Sequence, residues 1–390
     1  MNKIRVAHVI TRLCKGGAQE NTFQTVRLAN RDRYDVDLIC GTLTGQEGSL
    51  EEEVRASGIQ IIRVLALQRQ VSLLNEWRAY QQLKTLFHEN NYDIVHTHTS
   101  KAGILGRKAA YDCNVPVIIH TPHGNIFDGY FSAPVTWIYK NAEKHGAKWS
   151  DRLIELTAGG IEEYLAEGIG ERKQYTSIFS GIDLSPYDDA LARREETRKY
   201  IGVSDSHVLI GGVGRLEPVK GFEYFIQAAI KIVETNPDVR FIHAGTGSQE
   251  AELKKLAAPL GERFRFLGLR DDIPDVMAAL DVLVVPSLNE GMGRVILEAG
   301  AAQTAVVASR VGGIPEVIQE GRTGELVEPK DAGALSRAIG SLLQDPDRIR
   351  EMGLAARDFI VPHYSLDNMV MRIERLYEEV LKEKNSDAGR

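Results

Sequence analysis

The strongest constraint on the fold of this chain is a regular alternation of short apolar runs with longer helical stretches. The runs are rich in Val and Ile and almost continuously apolar, as strands buried on both faces of a parallel sheet are. In the first half they are Ile4–Ile10, Asp35–Cys40, Ile59–Val64, Ile94–Thr97, Val117–His120 and Arg152–Glu155. Helical stretches such as Ala18–Asn30 and Asn75–Asn90 separate them, and this βαβ order predicts a parallel sheet with helices on both faces.

The same alternation starts again in the second half. Its predicted strands are His207–Gly212, Arg240–Ala244, Arg265–Gly268, Val282–Val285, Ala305–Ser309 and Leu326–Val327. Pro186 and a charged run separate the two patterns. We therefore expect an α/β protein with two Rossmann-like domains, at 1–185 and 190–362. A last amphipathic helix, at about 365–385, should pack back on the first domain through its one apolar stripe.

Composition excludes several classes of protein. With 390 residues, 43% hydrophobic and 26% charged, the chain has the composition of a folded domain protein rather than a disordered one. A net charge of −7 disfavours nucleic-acid binding. Three dispersed cysteines, the absence of a long apolar segment and the lack of signal-peptide features predict a protein of the reducing cytoplasm.

Ligands of open parallel sheets bind at the carboxyl ends of the strands, and several loops at those ends carry polar groups. In the first half, Gly16-Gly17 opens a helix and could admit an anion, although a plain turn is an equal alternative. His96 and His98 end one strand, where they are polar lining or two ligands of a metal. His123 follows another, where it either hydrogen-bonds structurally or orients an acceptor hydroxyl.

The second half is more informative. Arg215 and Lys220 lie in one strand-to-helix loop and would flank a phosphate at the start of that helix. After the strand Val282–Val285, Glu290 lies in the loop and Glu298 in the following helix. The glycines and the helix N-terminus between these two acids would form an anion site, while the carboxylates could hold sugar hydroxyls and a ribose diol.

These segments resemble the retaining glycosyltransferases of family 4, which have the GT-B fold. The resemblance rests on Glu290-x7-Glu298 within PSLNEGMGRVILEA, on the loops VGRLEPVKG and VGGIPEVI, and on the GG loop after the first strand, all in the family order. It implies two Rossmann-like domains facing each other across a deep cleft. HTHTSKAGILGR and TPHG resemble the subgroup that builds surface polysaccharides on polyprenyl-linked acceptors.

The resemblance also implies a role for each matching residue. His123 would lie beside the donor sugar and the acceptor, Glu290 would contact the sugar near the reacting carbon, and Glu298 would hold the ribose. Arg215 and Lys220 would neutralise the diphosphate. Phosphate oxygens would be cradled by backbone N–H groups near Gly16 and Gly17 and by those of Gly291, Met292, Gly293 and Arg294. Three positions depart from the family pattern, namely Thr246, Gln303 and Ala305.

No metal or other cofactor is expected. The D-x-D sequence Asp35-Val36-Asp37 begins a predicted strand, and a clamp of cations and helix-end N–H groups can stabilise the leaving diphosphate instead. The expected reaction moves a hexose or N-acetylhexosamine from a nucleotide diphosphate sugar, UDP-sugar being favoured, to a glycan acceptor. A nucleotide-sugar epimerase and a regulatory subunit without turnover are the alternatives.

A polyprenyl-linked acceptor would require contact with a membrane surface. Residues 1–180 carry a net charge of +1 and the remainder −8, so the first half is the better candidate to face anionic lipid. Lys101, Arg107 and Lys108, on the helix after the HTHTS strand end, are the basic residues expected at that surface.

Overall fold

The computed structural model describes residues 3–42, 48–124, 132–204 and 206–388. They form two compact units, an N-terminal unit of residues 1–181 and 366–390 and a C-terminal unit of residues 182–365. Each unit is built on one parallel sheet. The chain first leaves the N-terminal unit after Gly181, whereas the sequence predicts a first domain of residues 1–185.

The N-terminal unit has a seven-stranded sheet in the order β3-β2-β1-β4-β5-β6-β7. Its strands are β1 (Ile4–Ile10), β2 (Tyr34–Cys40), β3 (Ile61–Arg63), β4 (Ile94–His98), β5 (Val117–Thr121), β6 (Arg152–Glu155) and β7 (Tyr175–Ser177). The helices are α1 (Gly17–Leu28), α2 (Glu51–Ala56), α3 (Leu73–Asn90), α4 (Ser100–Asp112), α5 (Ala133–Lys148) and α6 (Ala158–Ala166). The strand order reverses between β1 and β4, and this reversal is where ligands of such sheets bind.

The C-terminal unit has a six-stranded sheet in the order β10-β9-β8-β11-β12-β13. Its strands are β8 (Val208–Val213), β9 (Val239–Ala244), β10 (Phe264–Gly268), β11 (Val282–Val285), β12 (Ala305–Ser309) and β13 (Gly324–Val327). The helices are α7 (Ser185–Ala192), α8 (Arg194–Ile201), α9 (Phe222–Val233), α10 (Glu250–Ala257), α11 (Ile273–Ala279), α12 (Arg294–Ala301), α13 (Ile314–Val317), α14 (Ala332–Leu343) and α15 (Pro346–Ile360). Here the order reverses between β8 and β11.

The last helix, α16 (Leu366–Ala388), belongs to the N-terminal unit. Its apolar stripe packs with α1 and with one face of the sheet, where Ile373 and Tyr377 join Val6 and Ile94 in a single buried cluster. Burial of such a stripe stabilises a helix that its own propensity would leave marginal. The last segment of the N-terminal unit therefore follows the whole C-terminal unit in the sequence.

Candidate active site

Two loops meet where the strand order of the C-terminal unit reverses. One follows β8 and carries Arg215 and Lys220, and the other follows the neighbouring strand β11 and carries Glu290. The backbone N–H of Leu288 donates to the carbonyl of Val219 over 2.8 Å and joins them. The approach also depends on Gly221, which has a left-handed φ of 65° and lies where a Cβ would be 2.2 Å from the Pro286 carbonyl oxygen.

This contact between the loops brings two of the predicted site residues together. Nζ of Lys220 lies 2.5 Å from Oε2 of Glu290, and the hydroxyl of Ser287 donates to the same oxygen over 3.3 Å. Arg215 is exposed, and its side chain makes no hydrogen bond or ion pair with the described residues. In this arrangement one cation of the loop is held by a carboxylate while the other is free to meet an anion.

The backbone of Glu290 is fixed by a third loop, which follows β12. The N–H of Gly313 donates to the Glu290 carbonyl over 3.2 Å. Gly312 has a φ of 49°, and a Cβ there would lie 1.9 Å from that carbonyl oxygen. The VGGIP sequence therefore supports Glu290 by close backbone approach, a role that the sequence pattern by itself did not assign.

The remaining predicted donor-binding residues surround the start of α12. Gly293 precedes the helix with a φ of 78°, and Met292 is buried. Arg294 and Glu298 lie one helical turn apart, with Nε and Oε1 separated by 3.3 Å. The positive end of the helix is thus next to Glu290, as an anion site requires.

In the N-terminal unit, Gly16 precedes α1, which begins at Gly17. Histidines converge at the nearby strand ends. His96 and His98 lie on one face of β4, and His8 of β1 is opposite His96 in the sheet register. His98 Nδ1 lies 2.9 Å from His123 Nε2, so the structure brings His123 to this group. His8 was missed by sequence analysis, because a residue on a neighbouring strand is located only once the register is known.

His8, His96 and His98 have the residue types and spacing of a metal site, since their potential ligand atoms lie within 4.8 Å of one another. Each of their ring nitrogens, however, already has a hydrogen-bonding partner. Nδ1 of His8 and Nε2 of His98 are 2.9 Å apart, a hydrogen-bond distance. Desolvation lowers the pKa of His8 to about 3 and those of His96 and His98 well below the ordinary value. The geometry is that of a neutral hydrogen-bonded network.

The D-x-D sequence Asp35-Val36-Asp37 is engaged in structural contacts. Asp37 accepts a hydrogen bond from the Tyr92 hydroxyl over 2.6 Å, and Asp35 lies 3.8 Å from the guanidinium of Arg5. Both acids lie within β2, away from the carboxyl ends of the strands.

The three basic residues expected at a membrane surface are all engaged in ion pairs, and the expectation is wrong for Arg107. Its side chain is fully buried, with Nη2 2.7 Å from Oε2 of Glu143 on α5. Lys101 pairs with Glu76 over 2.6 Å, and Lys108 pairs with Asp112 over 2.5 Å. The sequence placed these residues on α4, but only the packing of α4 against α5 determined which of its faces is buried.

Comparison with known proteins agrees with the two-unit architecture. Residues 16–176 match the family model described as a glycosyl transferase 4-like domain, and residues 207–345 match glycosyl transferases group 1. A crystal structure of the Anabaena protein HepE in complex with UDP and glucose superposes with a TM-score of 0.81 at 22% identity, covering 96% of this chain and 100% of that one. Sucrose-phosphate synthase from Thermosynechococcus elongatus gives a TM-score of 0.81 at 21% identity, covering 98% and 100%.

Curated relatives extend the match along the whole chain. The chain is 32% identical over 388 residues to UDP-Gal:alpha-D-GlcNAc-diphosphoundecaprenol alpha-1,3-galactosyltransferase of Escherichia coli, covering 98% of this chain and 99% of that protein. It is 30% identical to D-inositol 3-phosphate glycosyltransferase of Corynebacterium urealyticum, covering 75% and 73%. This chain therefore belongs to the group 1, family 4-like glycosyltransferases and has their GT-B fold.

Proposed function

We propose that this glycosyltransferase moves a hexose or N-acetylhexosamine from a UDP-sugar to a hydroxyl of a lipid-linked glycan acceptor, in the assembly of a surface polysaccharide or glycoconjugate. The observation that carries the proposal is the match to the Escherichia coli galactosyltransferase, whose donor is UDP-Gal and whose acceptor is a GlcNAc-diphosphoundecaprenol. The match covers nearly all of both chains, so it includes both the unit expected to bind the acceptor and the unit expected to bind the donor.

The contacts of the C-terminal unit support a metal-free stabilisation of the leaving group. Arg215 is available to the diphosphate, and Lys220, now paired with Glu290, can share its charge with a phosphate oxygen when the donor binds. Backbone N–H groups from Gly291 to Arg294 add donors at the start of α12. In this proposal Glu290 contacts the sugar and Glu298 the ribose.

The proposed reaction retains the configuration of the transferred sugar. The acceptor oxygen forms a bond to the anomeric carbon on the face from which the UDP departs, while the bond from that carbon to the diphosphate oxygen breaks. The proton of the acceptor hydroxyl leaves with the diphosphate. His123, in the N-terminal unit, is proposed to contact the substrates during this exchange.

The first experiment ranks donors by thermal shift with UDP-, GDP-, ADP- and dTDP-sugars. A ligand that binds the folded state raises its stability by RT ln(1 + [L]/Kd), so the preferred donor gives the largest shift. Transfer from that donor to GlcNAc-diphosphoundecaprenol is then measured with and without EDTA. We expect turnover in both. Loss of turnover in EDTA with rescue by Mn²⁺ would contradict the metal-free mechanism, and epimerised or free sugar without a lengthened acceptor would contradict transfer.

A second part of the proposal is that the N-terminal unit contacts the membrane through an apolar patch rather than through basic residues. No helix in the described ranges is long and apolar enough to cross a bilayer. At the start of α3, Leu73 is 88% exposed and Trp77 59%, and near the start of α5, Trp137 is 67% exposed and Ile138 59%. Both helices pack against α4, and the charge of Glu76 on α3 contributes to raising the pKa of Tyr139 on α5. Exposed Trp beside aliphatic side chains suits a lipid interface.

Flotation with phosphatidylglycerol liposomes tests this patch. We expect the wild type to float and the double variant Trp77→Gln, Trp137→Gln to stay in the lower fraction. Each substitution removes a large apolar side chain from the surface that would contact the lipid. Leu269→Gln, an exposed apolar position of the C-terminal unit, is the matched control and should float. Equal flotation of the double variant and the wild type would contradict the assignment.

A further inference from the structure

A chain of hydrogen bonds runs from His123 into the core of the N-terminal unit. Nε2 of His123 lies 2.9 Å from Nδ1 of His98, and Nε2 of His98 lies 2.9 Å from Nδ1 of His8. Nε2 of His8 is 3.2 Å from the hydroxyl of Tyr377 on α16, which in turn is 2.7 Å from Nδ1 of His96. Every ring nitrogen along this path meets the next group at hydrogen-bonding distance.

The path ends at Thr121, the last residue of β5. Nε2 of His96 lies 2.8 Å from Oγ1 of Thr121, and Thr121 is only 4% exposed. We call this path, from His123 through His98, His8, Tyr377 and His96 to Thr121, the histidine chain. Its inner members are buried, and His123 at its other end is partly exposed. Nδ1 of His123 makes no hydrogen bond with the described residues.

The imidazoles of the histidine chain are neutral at physiological pH. Desolvation lowers the pKa of His8 and His123 to about 3 and those of His96 and His98 well below the ordinary value. A neutral imidazole carries one N–H donor and one bare acceptor nitrogen. Along a continuous run of neutral imidazoles, the direction of donation at one link therefore fixes the direction at the next. The buried Tyr377 hydroxyl passes the same direction on, because among the described residues its hydrogen has only the ring nitrogens of His8 and His96 as acceptors.

Thr121 selects that direction. Among the described residues, the only hydrogen-bond partner of its hydroxyl is Nε2 of His96. If His96 donated to Thr121, the buried hydroxyl hydrogen would have no acceptor, and buried donors are rarely left unsatisfied. If Thr121 donates, His96 donates from Nδ1 to Tyr377, and Tyr377 donates to His8. His8 and His98 then also donate from Nδ1, so His98 donates to Nε2 of His123.

We propose that the histidine chain holds His123 as the tautomer protonated on Nδ1, with Thr121, His96, Tyr377, His8 and His98 acting as positioning residues. The consequence for catalysis rests on the proposed function: His123 then meets the substrate as a neutral hydrogen-bond donor and not as a base that takes the proton of the acceptor hydroxyl. The proton positions follow from giving every hydrogen bond along the path one donor and one acceptor.

Long-range ¹H–¹⁵N spectra of protein labelled at its ten histidines test the tautomer directly. Protonated and bare ring nitrogens have distinct ¹⁵N shifts, and His123→Gln assigns the signals. We expect His123 to carry its proton on Nδ1 between about pH 6 and about pH 8, because its pKa lies far below this range. A wild-type His123 protonated on Nε2 would overturn the proposal, as would stoichiometric zinc bound to the purified protein and lost in a His8→Gln variant.

Two substitutions interrupt the chain without adding bulk. Thr121→Val removes the terminal donor, and Tyr377→Phe removes the middle one. Each should give His123 a mixture of tautomers and lower kcat about fivefold to tenfold, the effect of one neutral hydrogen bond. Thr121→Ser keeps the hydroxyl and should behave as the wild type. Tyr34→Phe is the control for Tyr377→Phe, because it removes a buried hydroxyl of the same cluster that bonds to the Glu374 carbonyl instead of to the chain.

The two readouts separate this proposal from the proposed function. If the spectra show Nδ1 protonation but no UDP-sugar supports transfer to GlcNAc-diphosphoundecaprenol, the histidine chain stands and the substrate assignment fails. If transfer occurs and Thr121→Val leaves the tautomer of His123 unchanged, the substrate assignment stands and the histidine chain fails.

Discussion

At the residue scale, the contact between Lys220 and Glu290 shows how the donor site can be kept in order before a ligand arrives. The loop carries two cations, yet only Lys220 is held by a carboxylate, at 2.5 Å, while Arg215 is exposed. A diphosphate entering this site would meet the free guanidinium first and would then compete with Glu290 for the ammonium. In the proposed donor site, the pair would therefore couple binding of the diphosphate to the position of the carboxylate expected at the sugar.

We predict that Arg215→Ala and Lys220→Ala each lower kcat by on the order of 10²–10³-fold, because each removes charge that stabilises the leaving diphosphate. Steady-state transfer assays measure the change, and circular dichroism checks that the fold is retained. Lys254→Ala is the matched control, since Lys254 is a half-exposed lysine of the same unit paired with Glu250 and remote from these loops in sequence. A kcat within twofold of the wild type for both variants would refute the role of the clamp.

Gln303 illustrates a departure from the family pattern whose cost can be measured. It follows α12 with a left-handed φ of 57°. Its N–H donates to the Gly300 carbonyl and that of Thr304 to the Ala299 carbonyl, which is the hydrogen-bond pattern of a Schellman motif. Glycine is favoured at this position because it has no Cβ to oppose a positive φ.

We therefore expect Gln303→Gly to raise the free energy of unfolding of the C-terminal unit by about 0.5–1 kcal/mol. The substitution removes the strain energy of a left-handed residue, and part of this gain is lost because glycine has more conformational entropy in the unfolded chain. Chemical denaturation measures the change. Gln303→Ala, which keeps the Cβ, should give no such gain. Equal midpoints for the glycine and alanine variants would show that the strain is absent.

At the scale of elements, helices α4 and α5 of the N-terminal unit are joined by a buried ion pair. Arg107 donates to Glu143 over 2.7 Å and, through Nε, to the Gly103 carbonyl over 2.9 Å. The guanidinium needs the space left by Gly146, where a Cβ would lie 2.4 Å from Cζ. Because neither charge has access to water, each depends on the other.

Glu143→Ala should therefore destabilise the N-terminal unit by about 3–5 kcal/mol, since it leaves the Arg107 charge buried and uncompensated. For a unit of this size the loss lowers the midpoint of thermal unfolding by on the order of 10 °C. Glu162→Ala, which breaks the exposed pair with Arg172, is the control and should change stability by less than about 1 kcal/mol. A shift as small as that of the control would mean that the buried pair contributes little.

At the scale of the whole molecule, buried histidines make the stability sensitive to acid, and unequally so in the two units. In the N-terminal unit, desolvation lowers the pKa of five histidines below the ordinary value. They are His8, His96, His98, His120 and His123. In the C-terminal unit, His243 has its pKa lowered to about 3 for the same reason. Glu155 acts in the opposite direction, because desolvation raises its pKa to about 8.

We predict that the N-terminal unit loses stability steeply as pH falls below about 6.5, where unfolded histidines bind protons that the folded unit excludes. Each such histidine contributes up to about 1.4 kcal/mol per pH unit down to its folded pKa. Between its unfolded pKa near 4.5 and its folded pKa near 8, Glu155 binds a proton in the folded unit that the unfolded chain does not bind. This proton offsets one of the five that the folded unit excludes from its histidines. Urea unfolding at about pH 7 and about pH 5 measures the effect. The C-terminal unit should change less, and identical midpoints at both values would refute the prediction.

The alternation of strands and helices, and the loops that carry Arg215, Lys220, Glu290 and Glu298, could be predicted from the sequence by itself, because apolar periodicity and glycine-rich turns are local properties of the chain. Tertiary structure alone decided the partners. His8 and Thr121 join His96 only through the register of β1, β4 and β5, and Tyr377 reaches them from a helix near the end of the chain. Arg107, expected at the surface, is buried by helix packing. Side-chain partners distant in sequence depend on register and packing, which no local pattern encodes.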